Sequence, residues 1–593
     1  MVAFHFGSEL TFAQKALFQE VNVQSFTLKS TESNSLSKIA THKSVRRVRL
    51  LRLNKRVISQ NTQKLYLLQN SRINARHLKT IKRGDNNYSW FGQLEDGTGV
   101  FFTIKNGKIA SKFYMGDTPC LLSPLGDDYY ALIEYSSGAS NHLSCLTSAL
   151  QNQTKMNGHI EKESQVTTLS STTNDNNCNL RVLVVVTQAA ESEITATGMG
   201  LGHFVQMAID ETNLAYLQSQ VNFEMELGRI VRTSYVEVDQ INTINGLLVD
   251  LERFQAGTSP LNQAVAFRET YDTDVQILIR RAHPTLYGQA FEIPVGSTQP
   301  SANNAFCVVT VPGITFGRFT FAHEVAHLQG ARHDDDNRTP SYARGYVLNN
   351  SSLSIRTIMA LGCSQNNGCR IQFFSNPNVT FNGQPVGTTD RNNARRLNET
   401  SIVVRNHRTT RDALIIGNDL ISSGIIANYL SKNTITTNGS ISYTNGSEVT
   451  MRTGISIDLM PGFQALNGAE FTAYVEGNAC QDLPELMSLQ YPGEDLIPSF
   501  ISPIETSTSK KELTISPNPA RLETILNLET TDVANEIVVE VYDQIGFLVY
   551  KNVFDRNQGI HNLKIPLENL NSGIYTFHIK VNGSLEIKKV VVW

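Results

Sequence analysis

Three of the chain's thirteen histidines stand within eleven positions, in the stretch FAHEVAHLQGARHDDD (residues 321–336). On a helix, residues four apart share a face. His323 and His327 therefore aim two imidazoles at one point. Glu324, beside the first of them, brings a carboxylate within reach of a water held there. Gly330 follows three residues after His327. Glycine accepts a left-handed backbone, so the helix can stop and the chain can turn sharply. That turn lets His333 approach the same point from another side. Three neutral imidazoles suit Zn2+ at about 2.0–2.1 Å and leave a fourth position open for water, as a catalytic site requires. The chemistry this permits is hydrolysis. The ion acidifies water and polarises a carbonyl, while Glu324 serves as general base and passes the proton on to the leaving amine. A helix with solvated surface histidines would also produce HExxH, but the further glycine, the third histidine and the following Asp334 go well beyond it.

Those residues need a scaffold. RVLVVVTQAA, from about residue 180, is an apolar β-branched run that reads as a buried strand. GHFVQMAIDETNLAYLQSQV has helical spacing, with Phe204, Met207, Ala208, Leu214 and Ala215 on one face. INTINGLLVDLERFQ reads as a second helix, and DVQILIRRA and AFCVVTV as further strands. Mixed strands and helices over residues 179–412 indicate an α/β domain.

The stretch HEVAHLQGARHD resembles the metzincin zinc peptidases, and the aspartate after the third histidine is similar to their reprolysin (adamalysin-like) branch. The resemblance covers about residues 180–410. It implies a methionine turn beneath the zinc. RTIMA supplies Met359, 26 residues past His333, as a hydrophobic floor rather than a ligand, a role close to that of an ordinary core residue. FFSNPNV (373–379) resembles the segment after that turn in bacterial reprolysin-like enzymes. Astacin-like and serralysin-like relatives have a tyrosine two residues past the methionine; here it is Leu361, so a tyrosine ligand is not expected.

The rest of the chain reads as flanking modules. Residues 1–145 are mostly β, with turns such as EDGTG and KNGK. Their basic run VRRVRLLRL alternates apolar and charged residues, which suits a half-exposed strand better than a nucleic-acid patch. Residues 146–178 are rich in Ser, Thr, Asn and Gln and too poor in large apolar residues to fold alone, so they read as an exposed linker with an activation cleavage site. This is the layout of a zymogen. In many metzincins a propeptide cysteine thiolate fills the open zinc position; Cys145 and Cys120 are the candidates, against the plainer reading of buried or paired cysteines. Cys363 and Cys369 flank a turn-rich loop and are candidates for a disulfide, within a total of seven cysteines that leaves at least one unpaired inside the chain. Residues 415–480 repeat short strands with Gly or Asn corners, the pattern of a small β-solenoid, and 481–512 form a second linker.

ISPNPA, VYDQIGFLVY, LNSGIYTFHI and the terminal KKVVVW, within 513–593, resemble the β-sandwich sorting domain of type IX secretion cargo from Bacteroidetes. That resemblance implies the type IX machinery as a partner and a secreted or cell-surface location. The first twenty residues lack the charged start and apolar core of a signal peptide, so export calls for a start upstream of Met1 or a signal already trimmed. No apolar run reaches the roughly 18–20 residues that span a bilayer, and a net charge of −3 points to no polyanionic partner. The whole reads as a multidomain secreted zinc endopeptidase acting on proteins or peptides: an α/β metzincin domain flanked by a mostly β propeptide, a β-repeat module and a C-terminal β-sandwich. A structural Ca2+ stays open. The rival is a surface adhesin with a vestigial metallopeptidase core, against which the intact Glu324 argues.

Overall fold

The structure is a computed structural model that describes residues 16–136, 178–476 and 513–592, apart from short stretches within each. The chain forms two compact units, 1–490 and 491–593.

The first unit begins with an antiparallel sheet of nine strands, running from Phe18–Glu20 to Tyr129–Tyr135. The basic run is its strand Val45–Leu53, with Arg46, Arg47 and Arg52 exposed and Leu50, Leu51 and Leu53 buried. Side chains alternate between faces with the strand period of two. Trp90, Phe102, Ile104, Leu122 and Leu132 pack in the sheet's own core. Phe91, Phe101, Leu121 and Ile133 point the other way and join the core of the α/β part that follows.

That part is built on four parallel strands, Phe306–Thr310, Val275–Arg280, Leu180–Thr187 and Met225–Thr233, in that spatial order. Gly288–Ala290 closes one edge antiparallel to Phe306–Thr310. Leu180–Thr187, Val275–Arg280 and Phe306–Thr310 are buried throughout, which is why they read as unbroken apolar runs, while Met225–Thr233 keeps Glu226 half-buried and Arg232 exposed. The helices Leu201–Gln218 and Gly246–Gln255 form where helical spacing was read. Leu201–Gln218 is buried on almost every face, lying between the catalytic sheet and the N-terminal sheet.

Residues 413–475 wind into three rungs of a parallel coil. Asp419, Ile441 and Phe463 stack in register, as do Ile426, Glu448 and Glu470, so each rung takes 22 residues. The coil is continuous with the catalytic sheet: its strand Ile426–Leu430 pairs antiparallel with Met225–Thr233 at Arg229 and Ala427. Glu226 accepts from Arg181 Nη1 at 2.8 Å and from Arg452 Nη2 at 2.9 Å, tying strand, neighbour and coil together.

The second unit is an antiparallel sandwich. Three strands (Thr514–Ser516, Glu523–Thr530, Gly559–Pro566) face four (Asn535–Tyr542, Leu548–Arg556, Gly573–Val581, Ser584–Val592) across a core that includes Leu526, Val539, Ile565 and Phe577.

Candidate metal centre

The helix Thr320–Leu328 carries the first two histidines and the glutamate. It ends in a Schellman turn: Gly330 N–H donates to His327 O at 2.9 Å and Ala331 N–H to Ala326 O at 3.0 Å. Gly330 has φ +90°. A Cβ there would meet Ile293 Cδ1 at 2.7 Å and Arg396 Nε at 2.8 Å, so both the conformation and the space require glycine. The turn sends the chain back under the helix and delivers His333.

The three imidazoles converge. Nε2 of His323 lies 3.2 Å from that of His327 and 3.0 Å from that of His333, and the remaining pair is 3.1 Å apart. All three residues are buried. His323 Nδ1 is 2.9 Å from Ile358 O, and His327 Nδ1 is 3.1 Å from Ala331 O. A ring that donates Nδ1–H to a carbonyl keeps a lone pair on Nε2. Lone pairs this close repel unless a cation lies between them. Zinc bonds of about 2.0–2.1 Å at tetrahedral angles would set the nitrogens about 3.3–3.4 Å apart, near the spacing observed. The donor set fits zinc. Burial, followed by the neighbouring histidines and Arg370, lowers the pKa of His323 well below its usual value; burial leads likewise for His327 and His333. Each shift favours the neutral ring, the form that binds a metal.

Glu324 is fully buried beside the triad. A Cβ on Gly288 would fall 2.5 Å from Glu324 Oε1, so the edge strand Gly288–Ala290 runs directly against this carboxylate, and only glycine leaves it room. Met359 is fully buried in the core. Its predecessor Ile358 supplies the carbonyl that orients His323, and the turn is pinned further by Asp334, whose Oδ1 accepts from Leu361 N–H at 2.7 Å. Arg391 Nη1 in turn donates to Asp334 O at 2.8 Å and to Gly345 O at 3.0 Å. The residue after the third histidine thus links the histidine loop to the turn that carries Met359. Arg356 and Arg370 both reach the carbonyl of Ala360 on that turn, at 3.4 and 3.0 Å.

Cys120 is buried in the N-terminal sheet's own core, among residues of that sheet, with its Sγ 3.5 Å from Thr118 O. Cys145, Cys363 and Cys369 lie outside the described residues, as does the polar segment 146–177. Cys178 is disulfide-bonded. Gly288, Arg370 and Arg391 were not singled out from sequence: none stands near the histidine motif, and only chain folding brings them to it.

Comparison with known proteins accords with this geometry. Residues 202–334 match the Metallo-peptidase family M12B Reprolysin-like family. The chain carries a reprolysin-like metallopeptidase domain. The reprolysin-like stretch takes in the long helix, the edge strand, the three histidines and Asp334. Residues 514–593 match the secretion system C-terminal sorting domain, which marks the chain for type IX export to the cell surface or exterior. No helix among the described residues is long and apolar enough to cross a membrane. The reprolysin-like chain is 38% identical over 214 residues to a peptidyl-Asp metalloendopeptidase of Xanthomonas campestris pv. campestris, covering 35% of this chain and 46% of that protein. It is 27% identical to one of Pseudomonas fragi, covering 30% of this chain and 88% of that protein. It spans about half the length of the first curated relatives it matches. Among solved structures, metalloproteinase-II from Bacteroides fragilis is similar with a TM-score of 0.27 and 14% identity, over 46% of this chain and 83% of that one.

Proposed function

We propose that this chain is an exported zinc endopeptidase made as a precursor, with His323, His327 and His333 as metal ligands and Glu324 as general base. The observation that carries the reading is the convergence of three buried imidazoles beside a buried glutamate that abuts an edge strand. Zinc, when bound, supplies Lewis acidity to water and to the scissile carbonyl. Glu324 takes the proton of the attacking water and hands it to the departing amine nitrogen as the C–N bond breaks. The strand Gly288–Ala290 ends its sheet and offers backbone groups to an extended peptide, which would lie as an added strand across the carboxylate. Met359 serves as the floor, and the N-terminal sheet as the propeptide. Because relatives are named peptidyl-Asp metalloendopeptidases, the bonds cut are read as those beside aspartate. Arg370, whose charge is felt at His323 and His333, is the cation that would receive the substrate carboxylate.

The test is metal analysis of the purified protein together with hydrolysis of a peptide containing one Asp and of its Asn twin. About one zinc per chain and faster cleavage of the Asp peptide are expected. Glu324→Ala should keep the zinc and lose about 10²–10⁴-fold in rate. Activity undiminished in that variant would end the assignment. Equal cleavage of the two peptides would end only the aspartate preference.

A further inference from the structure

We propose that the N-terminal sheet remains docked as a non-covalent subunit when the chain is cut in the polar stretch that follows it. The docking face is sorted by sign: the sheet contributes the cations and the body it sits on contributes the anions. Lys112 Nζ lies 2.9 Å from Glu211 Oε1 on the long helix, with the two side chains only 1% and 3% exposed, and also donates to Ile314 O at 2.8 Å. Asp210, one residue earlier on that helix and fully buried, accepts from Thr103 Oγ1 at 2.6 Å, from Arg83 at 3.1 Å and from Ser89, all on the sheet. Lys79 pairs with Glu224, and Lys105 with Glu448 on the coil. The charge-matched contacts therefore join the sheet to the α/β part and to the coil.

Apolar contact backs these pairs. Phe91, Phe101, Ile133 and Tyr135 share a core with the long helix. The Tyr114 and Phe319 rings are 5.5 Å apart, and those of Tyr135 and Phe316 are 5.1 Å apart. Phe316 and Phe319 belong to the segment that leads into the histidine helix, so the sheet braces the approach to the metal centre. Charges segregated by side set register and partner choice, and buried partners are costly to part. A cut in the connecting stretch removes none of these contacts, so it does not release the sheet. The docking cations are Lys79, Arg83, Lys105 and Lys112, whereas Arg46 and Arg49 of the basic run pair within the sheet, with Glu134 and Glu20. The docking is read from side-chain geometry and holds whether or not the chain cleaves peptides.

The test uses the full chain with a specific protease site placed within 146–177. After cutting, the two pieces should co-elute in size exclusion at about 0.15 M salt. Lys105→Glu should raise their Kd at least about tenfold, and adding Glu448→Lys should recover much of that loss. Lys79→Glu with Glu224→Lys provides a second reciprocal pair if the first swap folds poorly. Separation of the pieces on cutting, a Kd within twofold of the parent in both single variants, or no recovery in both reciprocal swaps would overturn the proposal.

Discussion

Asp334 shows how one side chain holds two loops at a metal centre. It follows His333, and its Oδ1 takes the N–H of Leu361 in the turn that carries Met359, whose Ile358 carbonyl orients His323. Removing the carboxylate leaves a half-buried donor without its acceptor, at a cost of about 1 kcal/mol. Asp334→Ala should therefore lower Tm and weaken zinc retention against a competing chelator. Asp334→Asn, which keeps an acceptor oxygen, should restore most of both. Equal zinc retention in the alanine variant and the parent would show that the two loops hold the site independently. Leu361 meets Asp334 through its backbone N–H.

At the scale of elements, the histidine helix and the long helix make distinct demands. Gly330 ends the first with φ +90° in a space that excludes a Cβ. Gly330→Ala should cost about 1–3 kcal/mol and move His333 off the common point, giving a lower melting temperature and less bound zinc in the same preparation. The long helix carries His203, buried with its Nε2 2.9 Å from Thr103 O. Burial, with a smaller contribution from Lys105, Lys108 and Arg83, depresses its pKa to about 4. The unfolded chain binds a proton at this histidine from about pH 6.5 downward while the folded chain does not, so stability falls as pH drops from about 6.5 to 4. The full loss from this one group is about 3 kcal/mol. Denaturant midpoints across that range should show it, and His203→Gln, which still offers a donor to Thr103, should flatten part of the slope.

At the scale of the whole molecule, the two compact units make different commitments. The coil 413–475 extends the catalytic sheet through Met225–Thr233 and shares Glu226 with it, so it belongs to the same folding unit. The C-terminal sandwich has its own core. A chain ending at residue 490 should keep the Tm and the peptide-hydrolysis rate of the parent's first unit. One ending at 412 should lose soluble yield, because the edge of a central strand, with Arg181 and Glu226, would face water. A truncation at 490 that abolished hydrolysis would give the sandwich a part in the site.

How far the letters reach follows the range of the interaction. His323, Glu324 and His327 were legible because helix geometry acts over four residues, and Gly330 because its turn is equally local. The rungs of 413–475 were visible in their recurring Gly and Asn corners, since corner residues answer to backbone conformation. Sequence by itself determined which residues stand as candidate ligands and base, and which turn brings the third imidazole round. Only tertiary structure decided that Ile358 lends its carbonyl, that Gly288 makes room for Glu324, that the coil joins the catalytic sheet and that the basic N-terminal sheet meets an acidic face. Those pairings join residues far apart in the chain. Each is chosen by packing and charge complementarity among surfaces that exist only once the elements have formed.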